Sequence, residues 1–510
     1  MVRCPVERAP INTSPSNQAG VPGPEVVRPL SAPAITVQSE TLSPHHRPIP
    51  SPSDTPALRQ RVRRALETSR RKIILIVDEV TGSHAIGKVP IVVEMSAAAI
   101  ATELWLNPYA TALLANTRDL SASDAAVRMQ RLVADAIAAG YATRSDLMLF
   151  HRIDPLLAGH AFVETQAIAD RSGGFDGVLW VPAFFDGDFY TLNSIQWVRS
   201  GDRLVPLAEQ DLDNDPRFPV REPDLRRWLE ALSDGALPPG SVGAIQLAEL
   251  RAGRDTLLRR LRQLRQGQHV IVDAATMDDL YELFLACLVV EREGIRLLYR
   301  AGPSFVRACI SPDGVPQLRG PELFGGPSTT RPASPGVVML GPPTRANGAL
   351  RNAIRRHPTV LDLVLEPTLD LASHSQGHLL RPQHFRHLSG QVSQALAADL
   401  TPLLSFSTLS GLTSVDEIIA FRQACARTMS DMFLTLAVPP RWLVIESGAV
   451  ASAVTRHGLG VRRAEVLGQA GPAITAWRLD AASRIPDGIL IVVTPEIADH
   501  RTVVNLIPTV

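Results

Sequence analysis

Val270-Ile271-Val272-Asp273 reads as a short buried strand, and the segment after it decides the fold. Residues 277–292 carry a helical pattern, Gly294 stops it, and residues 295–299 return as a second strand. Strand, helix and strand in that order form a βαβ unit, which lays its two strands parallel in one sheet. Far upstream, Ile73-Ile74-Leu75-Ile76-Val77 is apolar at every position. A run with no polar alternation is a strand covered on both faces, as in a parallel sheet. The fold class is therefore α/β.

Further elements extend this reading. Residues 59–71 form a basic helical lead-in. Ser121 caps a helix that is expected to run to about Ala139 and end at Gly140, with Asp124 in its first turn. Its apolar stripe is Ala126, Met129, Val133 and Ile137. Residues 147–150 and 177–185 are strands, and residues 189–198 and 203–207 are two arms of a hairpin across Ser200-Gly201-Asp202. Pro223 opens a helix over residues 224–232.

Residues 311–335 are rich in Pro and Gly and mark a domain boundary. Beyond them, strands are expected at 337–340, 360–365, 403–406, 442–445, 464–467 and 489–493. Helices are expected at 347–356, 384–399 and 415–436. Such alternation implies a second α/β domain. The expected organisation is a tail over 1–60, a first domain over 70–310, a linker over 311–335 and a second domain over 336–508.

The chain has 510 residues, enough for two or three cores. Lys+Arg and Asp+Glu balance at 51 each, so no net field draws the chain to nucleic acid or an anionic membrane. Only Lys72 and Lys88 are lysines, so the second half has none to place on a phosphate. The cysteines Cys4, Cys287, Cys309 and Cys425 have neither disulfide-framework nor zinc-site spacing, which suits a reducing compartment. No apolar run approaches the roughly 20 residues of a membrane span. Residues 1–60 hold 12 of the 41 prolines, and no Phe, Trp or Tyr precedes Trp105. That composition reads as a disordered tail, compatible with a secretion leader or a plain extension. His374/His378 and His384/His387 have helical spacing, but no supporting ligands make either pair a metal site.

Four tracts carry the functional reading. Asp78-Glu79-Val80-Thr81-Gly82-Ser83 closes the strand 73–77, and two acids at a strand end followed by Thr-Gly suit proton handling or an ordinary solvated loop. Arg152-Ile153-Asp154 leads through Pro155-Leu156-Leu157-Ala158 to Gly159, with Asp154 either a helix cap or a substrate residue. Val181-Pro182-Ala183-Phe184-Phe185 and Val205-Pro206-Leu207-Ala208-Glu209, the latter extending to Asp213-Asn214-Asp215-Pro216, complete the set. Together they resemble the four-carbon acid sugar kinases, a family also called Hrp-dependent type III effectors. The resemblance spans about residues 72–507.

The first tract resembles the family's A-D-D-x-T-G-A loop, with Glu79 for the second Asp and Ser83 for the last Ala. The second resembles K-x-D-S-T-L-R-G, with Arg152 for the Lys and Ala158 for an arginine that grips a carboxylate. Asp188-Phe189 stands where the family has Gly-Arg. Tyr299-Arg300-Ala301-Gly302-Pro303-Ser304-Phe305-Val306-Arg307 resembles Y-R-T-A-A-S-F-V-R. In the second half, Leu340-Gly341-Pro342 replaces V-G-S, Phe406-Ser407-Thr408 lacks the Arg of T-S-R, and Glu446-Ser447-Gly448 through Ser452-Ala453 replaces K-G-G-I-T-S-S-D. Residues 458–469 match the family closely, and Thr494-Pro495-Glu496-Ile497-Ala498-Asp499 replaces a glycine-rich phosphate wrap.

The resemblance implies a sugar-acid-binding first domain, a nucleotide-binding second domain, ATP with Mg2+, and a small sugar-acid substrate. Asp78, Glu79 and Asp154 are the implied catalytic residues, and Thr81, Gly82, Arg152 and Gly159 the implied substrate-binding ones. Gly341, Gly448 and Ser452 would border the nucleotide, and no residue is assigned to a metal. Two activities stay open: phosphorylation of threonate, erythronate or a related acid, and a non-catalytic descendant acting as a binding or regulatory module. Nucleic acid and membrane are not expected partners, and self-association is open. The expected location is cytoplasmic, or outside the cell after type III export.

Overall fold

The computed structural model describes residues 53–69, 71–106, 109–210, 217–319, 323, 336–367, 379–407, 414–494 and 499–507. Most of the expected tail and linker, His374, His378, Asp213-Asn214-Asp215-Pro216, Thr408 and residues 495–498 lie outside that set. Among the described residues, no helix is long and apolar enough to cross a membrane.

The first half holds strands β1 Arg71–Val77, β2 Val89–Val92, β3 Ala110–Leu114, β4 Asp146–Arg152, β5 Gly177–Val181, β6 Phe189–Leu192, β7 Ile195–Ser200, β8 Arg203–Pro206, β9 Gly243–Ile245, β10 Gln268–Val272 and β11 Leu297–Ala301. The second half holds β12 Val337–Leu340, β13 Val360–Leu365, β14 Thr401–Phe406, β15 Trp442–Glu446, β16 Arg463–Gly471, β17 Ile474–Leu479 and β18 Ile489–Val493. Fifteen of these strands form one sheet, in the order β13-β14-β12-β15-β18-β17-β16-β2-β3-β1-β4-β11-β5-β10-β9.

The α/β class holds, and each half is a parallel sheet with helices. The decisive βαβ unit is present as β10, helix Met277–Arg292 and β11. Its crossover passes over β5, which sits between the two strands. The halves join through antiparallel pairs: β18 with β17, β17 with β16, and β16 with β2. Arg463 pairs with Val92 and Val466 with Val89, so one sheet runs through both halves.

Alternation along β1 explains its continuous apolar run. Ile73, Leu75 and Val77 enter one core layer, while Ile74 and Ile76 enter the layer on the other face. The first layer extends through Val466 and Trp477 to Val337, Leu443 and Leu490 of the second half. The linker begins pinned to the same junction, since Leu318 N donates to Gln469 O (2.7 Å) and Gln469 N to Pro316 O (2.8 Å).

Three local expectations are corrected. The helix capped by Ser121 continues through Gly140 to Thr143 and ends where Arg144 takes the left-handed conformation, φ 53°. Gly140 is there for close packing: a Cβ on it would lie 3.0 Å from Leu147 Cδ1. The supposed single arm 189–198 is two strands, β6 and β7, folded at Asn193 and Ser194 with φ 54° and 61°. With β8 they form a separate three-stranded sheet. Finally, β17 was not anticipated, although it carries the buried Trp477 that seals the junction.

Candidate functional site

In parallel sheets the loops after the strands gather at one edge, and here they bring five charged side chains together. Asp78 and Glu79 follow β1, Arg118 follows β3, and Arg152 and Asp154 lie at the end of β4. Arg118 is the hub. Its Nε and Nη2 donate to Asp78 Oδ2 at 2.9 and 2.7 Å, and Nη2 also reaches Asp154 Oδ2 at 2.7 Å. Its Nη1 lies 3.1 Å from Glu79 Oε1. Arg152 Nη1 adds contacts to Asp154 Oδ2 (3.1 Å) and Asp78 Oδ1 (3.4 Å). Asp154 Oδ1 accepts from Leu156 N at 2.8 Å in a local turn, and the helix that follows, Ala161–Arg171, has His160 at its N-terminal cap position, so Asp154 is not its cap.

Three carboxylates facing two guanidiniums give a formal charge of −1 in a nearly dry place. Asp78, Arg152 and Asp154 are buried, and the side chains of Arg118 and Glu79 are 14% and 13% exposed. Burial alone would raise Asp154, but the guanidiniums of Arg118 and Arg152 bring its pKa down to about 2. Glu79 goes the other way. Burial pushes it up, Arg118 pulls it back, and Asp78 and Asp154 push it up further.

Thr81, Gly82 and Gly159, expected at a substrate, shape this cluster. Thr81 donates its hydroxyl to Glu79. Gly82 leaves room for the Arg152 stem, since a Cβ there would sit 3.3 Å from Arg152 Cδ. Gly159 has φ +111°, and a Cβ on it would face Asp78 Oδ2 at 3.5 Å. The second half holds the loop in place. Ser83 Oγ accepts from Trp477 Nε1 (2.8 Å) and meets Thr475 Oγ1 at 3.1 Å, and Gln469 Nε2 donates to His84 O at 2.8 Å.

The residues expected at the nucleotide meet this cluster from the other half. Gly448 opens helix Gly448–Ala453, and a Cβ there would overlap the Glu79 carboxylate. Gly341 lets the end of β12 approach β15, with a would-be Cβ 2.7 Å from Ser447 Cβ. Its N–H donates to Glu446 Oε2 and to Glu446 O, both at 2.9 Å. The Ser452 hydroxyl, one turn beyond Gly448, is buried and makes no hydrogen bond.

Beneath the cluster lies a second polar layer. His151 Nε2 is 3.3 Å from Glu164 Oε2, Arg300 contacts His151 Nδ1, and the Arg300 guanidinium stacks 5.2 Å from the Trp180 ring centroid. Burial raises Glu164 to about 7, against the pull of Arg300, and lowers Arg300 to about 10. Sequence reading missed Arg118 and this layer. The signal for Arg118 was present, because a charged residue just after an apolar strand belongs to the ligand edge of a parallel sheet.

Similarity to known proteins is clearest in the fold. No curated protein sequence matches the chain. A crystal structure from Salmonella typhimurium LT2, provisionally called a tRNA synthase, is 15% identical over 85% of this chain and 98% of its own, with a TM-score of 0.59. That likeness supports the α/β architecture alone. Two crystal forms of a domain of unknown function from Bordetella bronchiseptica, a domain-swapped dimer with bound citrate, are 19% identical over 85% of this chain and 97% of theirs, with TM-scores of 0.37 and 0.36. Residues 73–309, which hold the whole Asp78–Arg118–Asp154 cluster, match the family model described as a sugar-binding N-terminal domain.

Proposed function

We propose that the chain is a sugar-binding protein of sugar-acid-kinase ancestry that no longer transfers phosphate. The observation that carries this reading is the pair of protein carboxylates at the expected phosphate cradle. Glu446 takes the Gly341 N–H, and Glu79 fills the space over Gly448. A phosphate cradle works by presenting free N–H groups and cations, and carboxylates in those places repel the anion. The residues as they stand do not fit ATP phosphates. They do not offer Mg2+ a carboxylate set either, because Asp78 and Asp154 are both tied to guanidiniums.

The cluster instead suits hydroxyl groups. Asp78 and Asp154 are carboxylate acceptors, and Arg152 Nε is a buried donor without a partner. With a formal charge of −1, the cluster favours a neutral sugar over its acid. A ligand would displace the Glu79–Gly448 contact on entry.

The kinase reading keeps one supporting observation. Arg118 brings a second guanidinium beside Arg152, so the first half retains two cations next to Asp78. Calorimetry with Mg-ATP, followed by a phosphoryl-transfer assay on threonate and erythronate, separates the two. The expected outcome is no phosphorylated product from either acid. Saturable ATP binding with product formation overturns the non-catalytic reading and establishes the kinase.

A further inference from the structure

We propose a second ligand site, for a small organic phosphate, in an arginine-lined cleft between the two halves of the chain. The cleft has a volume of about 590 Å³. It lies where β16 meets β2, held by backbone bonds from Val93 N and Glu94 N to Arg462 O at 2.9 and 3.0 Å. Four guanidiniums line it: Arg128 and Arg131 on helix Ala122–Thr143, Arg456 on the turn Val454–Gly458, and Arg462 before β16.

Their charge is not balanced. Glu94 is the one carboxylate in the lining, and it is paired to Arg462 at 3.1 Å. Arg128 gives Nη1 to the carbonyl of Asn116 at 3.0 Å. Among the described residues, neither Arg128, Arg131 nor Arg456 has a carboxylate within ion-pair distance. Three unneutralised guanidiniums in one concavity repel each other, and an anion relieves that repulsion. Burial and the neighbouring Arg128 both disfavour the charged form of Arg456. Charges held this way are what a phosphate site needs, because guanidiniums bind phosphate oxygens by charge-assisted, directional hydrogen bonds.

The floor identifies the rest of the ligand. Val93, Leu114, Leu132 and Val461 are buried apolar residues lining the same space. An apolar floor under a cationic rim fits a molecule with a carbon skeleton or ring and two or more negative charges. The volume lies within the range of small-molecule sites, about 300–1,000 Å³. The cleft shares no lining residue with the Asp78–Arg118–Asp154 cluster, so the inference stands whether or not the sugar-binding reading does.

The test is calorimetric titration of the full chain with inorganic pyrophosphate, inorganic phosphate and phenyl phosphate. Pyrophosphate is expected to bind, and about tenfold more weakly in the Arg131→Ala/Arg456→Ala double variant. Arg131 is exposed, so Arg131→Glu is the variant with least risk to folding, and it is expected to weaken binding at least as much. Glu79→Gln, in the first site, is expected to leave pyrophosphate affinity unchanged. Phenyl phosphate is expected to bind more tightly than inorganic phosphate because its ring reaches the floor. Absence of pyrophosphate binding, binding indifferent to Arg131→Glu and the double variant, or loss in Glu79→Gln equal to theirs overturns the site. Equal affinity for phenyl phosphate and inorganic phosphate overturns the organic ligand.

Discussion

Two charged regions flank the short loop Asn116-Thr117-Arg118, and they are built on opposite principles. On one side Arg118 is locked among Asp78, Glu79 and Asp154, with every guanidinium facing a carboxylate. On the other side the Asn116 carbonyl steadies Arg128 at the edge of a cleft whose arginines outnumber its acids. The first region is closed and its charges are paired, with Arg152 Nε as the donor it can still offer. The second is open and unsatisfied. Charge that is neutralised within the protein holds the fold, whereas charge left unneutralised in a concavity is available to a ligand. The resemblance drew attention to the first region, and the physics of the second is the more inviting for an anion.

The comparison breaks most directly at Arg118. Arg118→Ala leaves three carboxylates in a nearly dry place with only Arg152 to answer them, and breaking such a buried network costs about 3–5 kcal/mol. Arg131→Ala, at the open cleft, is expected to change stability by no more than about 0.5 kcal/mol, or to stabilise by removing repulsion. Urea denaturation of both variants measures the contrast. Equal losses would mean that the cluster does not act as a structural unit.

The layer beneath the cluster offers a sharper test through pH. Glu164 has a folded pKa raised from 4.5 to about 7. A carboxyl raised in this way binds its proton more tightly in the folded state. Its penalty is absent below the unfolded pKa, grows as pH rises through 4.5 to 7, and is complete above that. The neutral isostere Glu164→Gln removes the penalty, so the variant should gain on the wild type across that window, by up to about 3 kcal/mol at neutral pH. The wild-type profile alone cannot display this. His84 and His269, lowered to about 4, lose stability as pH falls from 6.5, which offsets the Glu164 slope. The difference between variant and wild type, followed by denaturation at pH 4.5 and pH 7.5, isolates it. A constant difference would place Glu164 in a wetter setting than its burial indicates.

How much of this was legible in the sequence varies with the range of the interaction. The strands β12, β13 and β18 fall at the expected bounds because apolar runs and flanking breakers are local signals. The loop Asp78–Ser83 was legible for the same reason, since Asp78, Thr81 and Gly82 come directly after an apolar strand. Arg118 was not, because its role depends on two strands 36 and 40 residues away in the chain. The antiparallel junction was hidden more deeply. β17 reads as a mixed, unremarkable stretch until Trp477 is seen against Ser83, nearly 400 positions earlier. The arginine cleft is assembled from segments beginning at Val93 and ending at Arg462, each with ordinary composition. Pro342 was visible at once, whereas the contacts of Glu446 with Gly341 and of Glu79 with Gly448 depend on chain folding over long range.

The smallest expected effect probes the contact that closes the first region. A Cβ at Gly448 would overlap the Glu79 carboxylate. That carboxylate is the end of a side chain, but it is not free to swing away, being held by Arg118 and Thr81. Gly448→Ala is therefore expected to cost about 1–3 kcal/mol through overpacking. In a Glu79→Ala background the space is empty, and alanine at the first position of this helix has less freedom to lose on folding, a gain of about 0.4–1 kcal/mol. The same substitution should then be neutral or stabilising. Glu79→Ala also strips a partner from Arg118, but that loss is common to both arms of the cycle and cancels. A change of sign between backgrounds locates the closure of the first region at one carboxylate against one backbone. If the two substitutions simply add, Glu79 does not fill the space over Gly448, and the proposed non-catalytic reading rests on the Glu446 carboxylate at Gly341 alone.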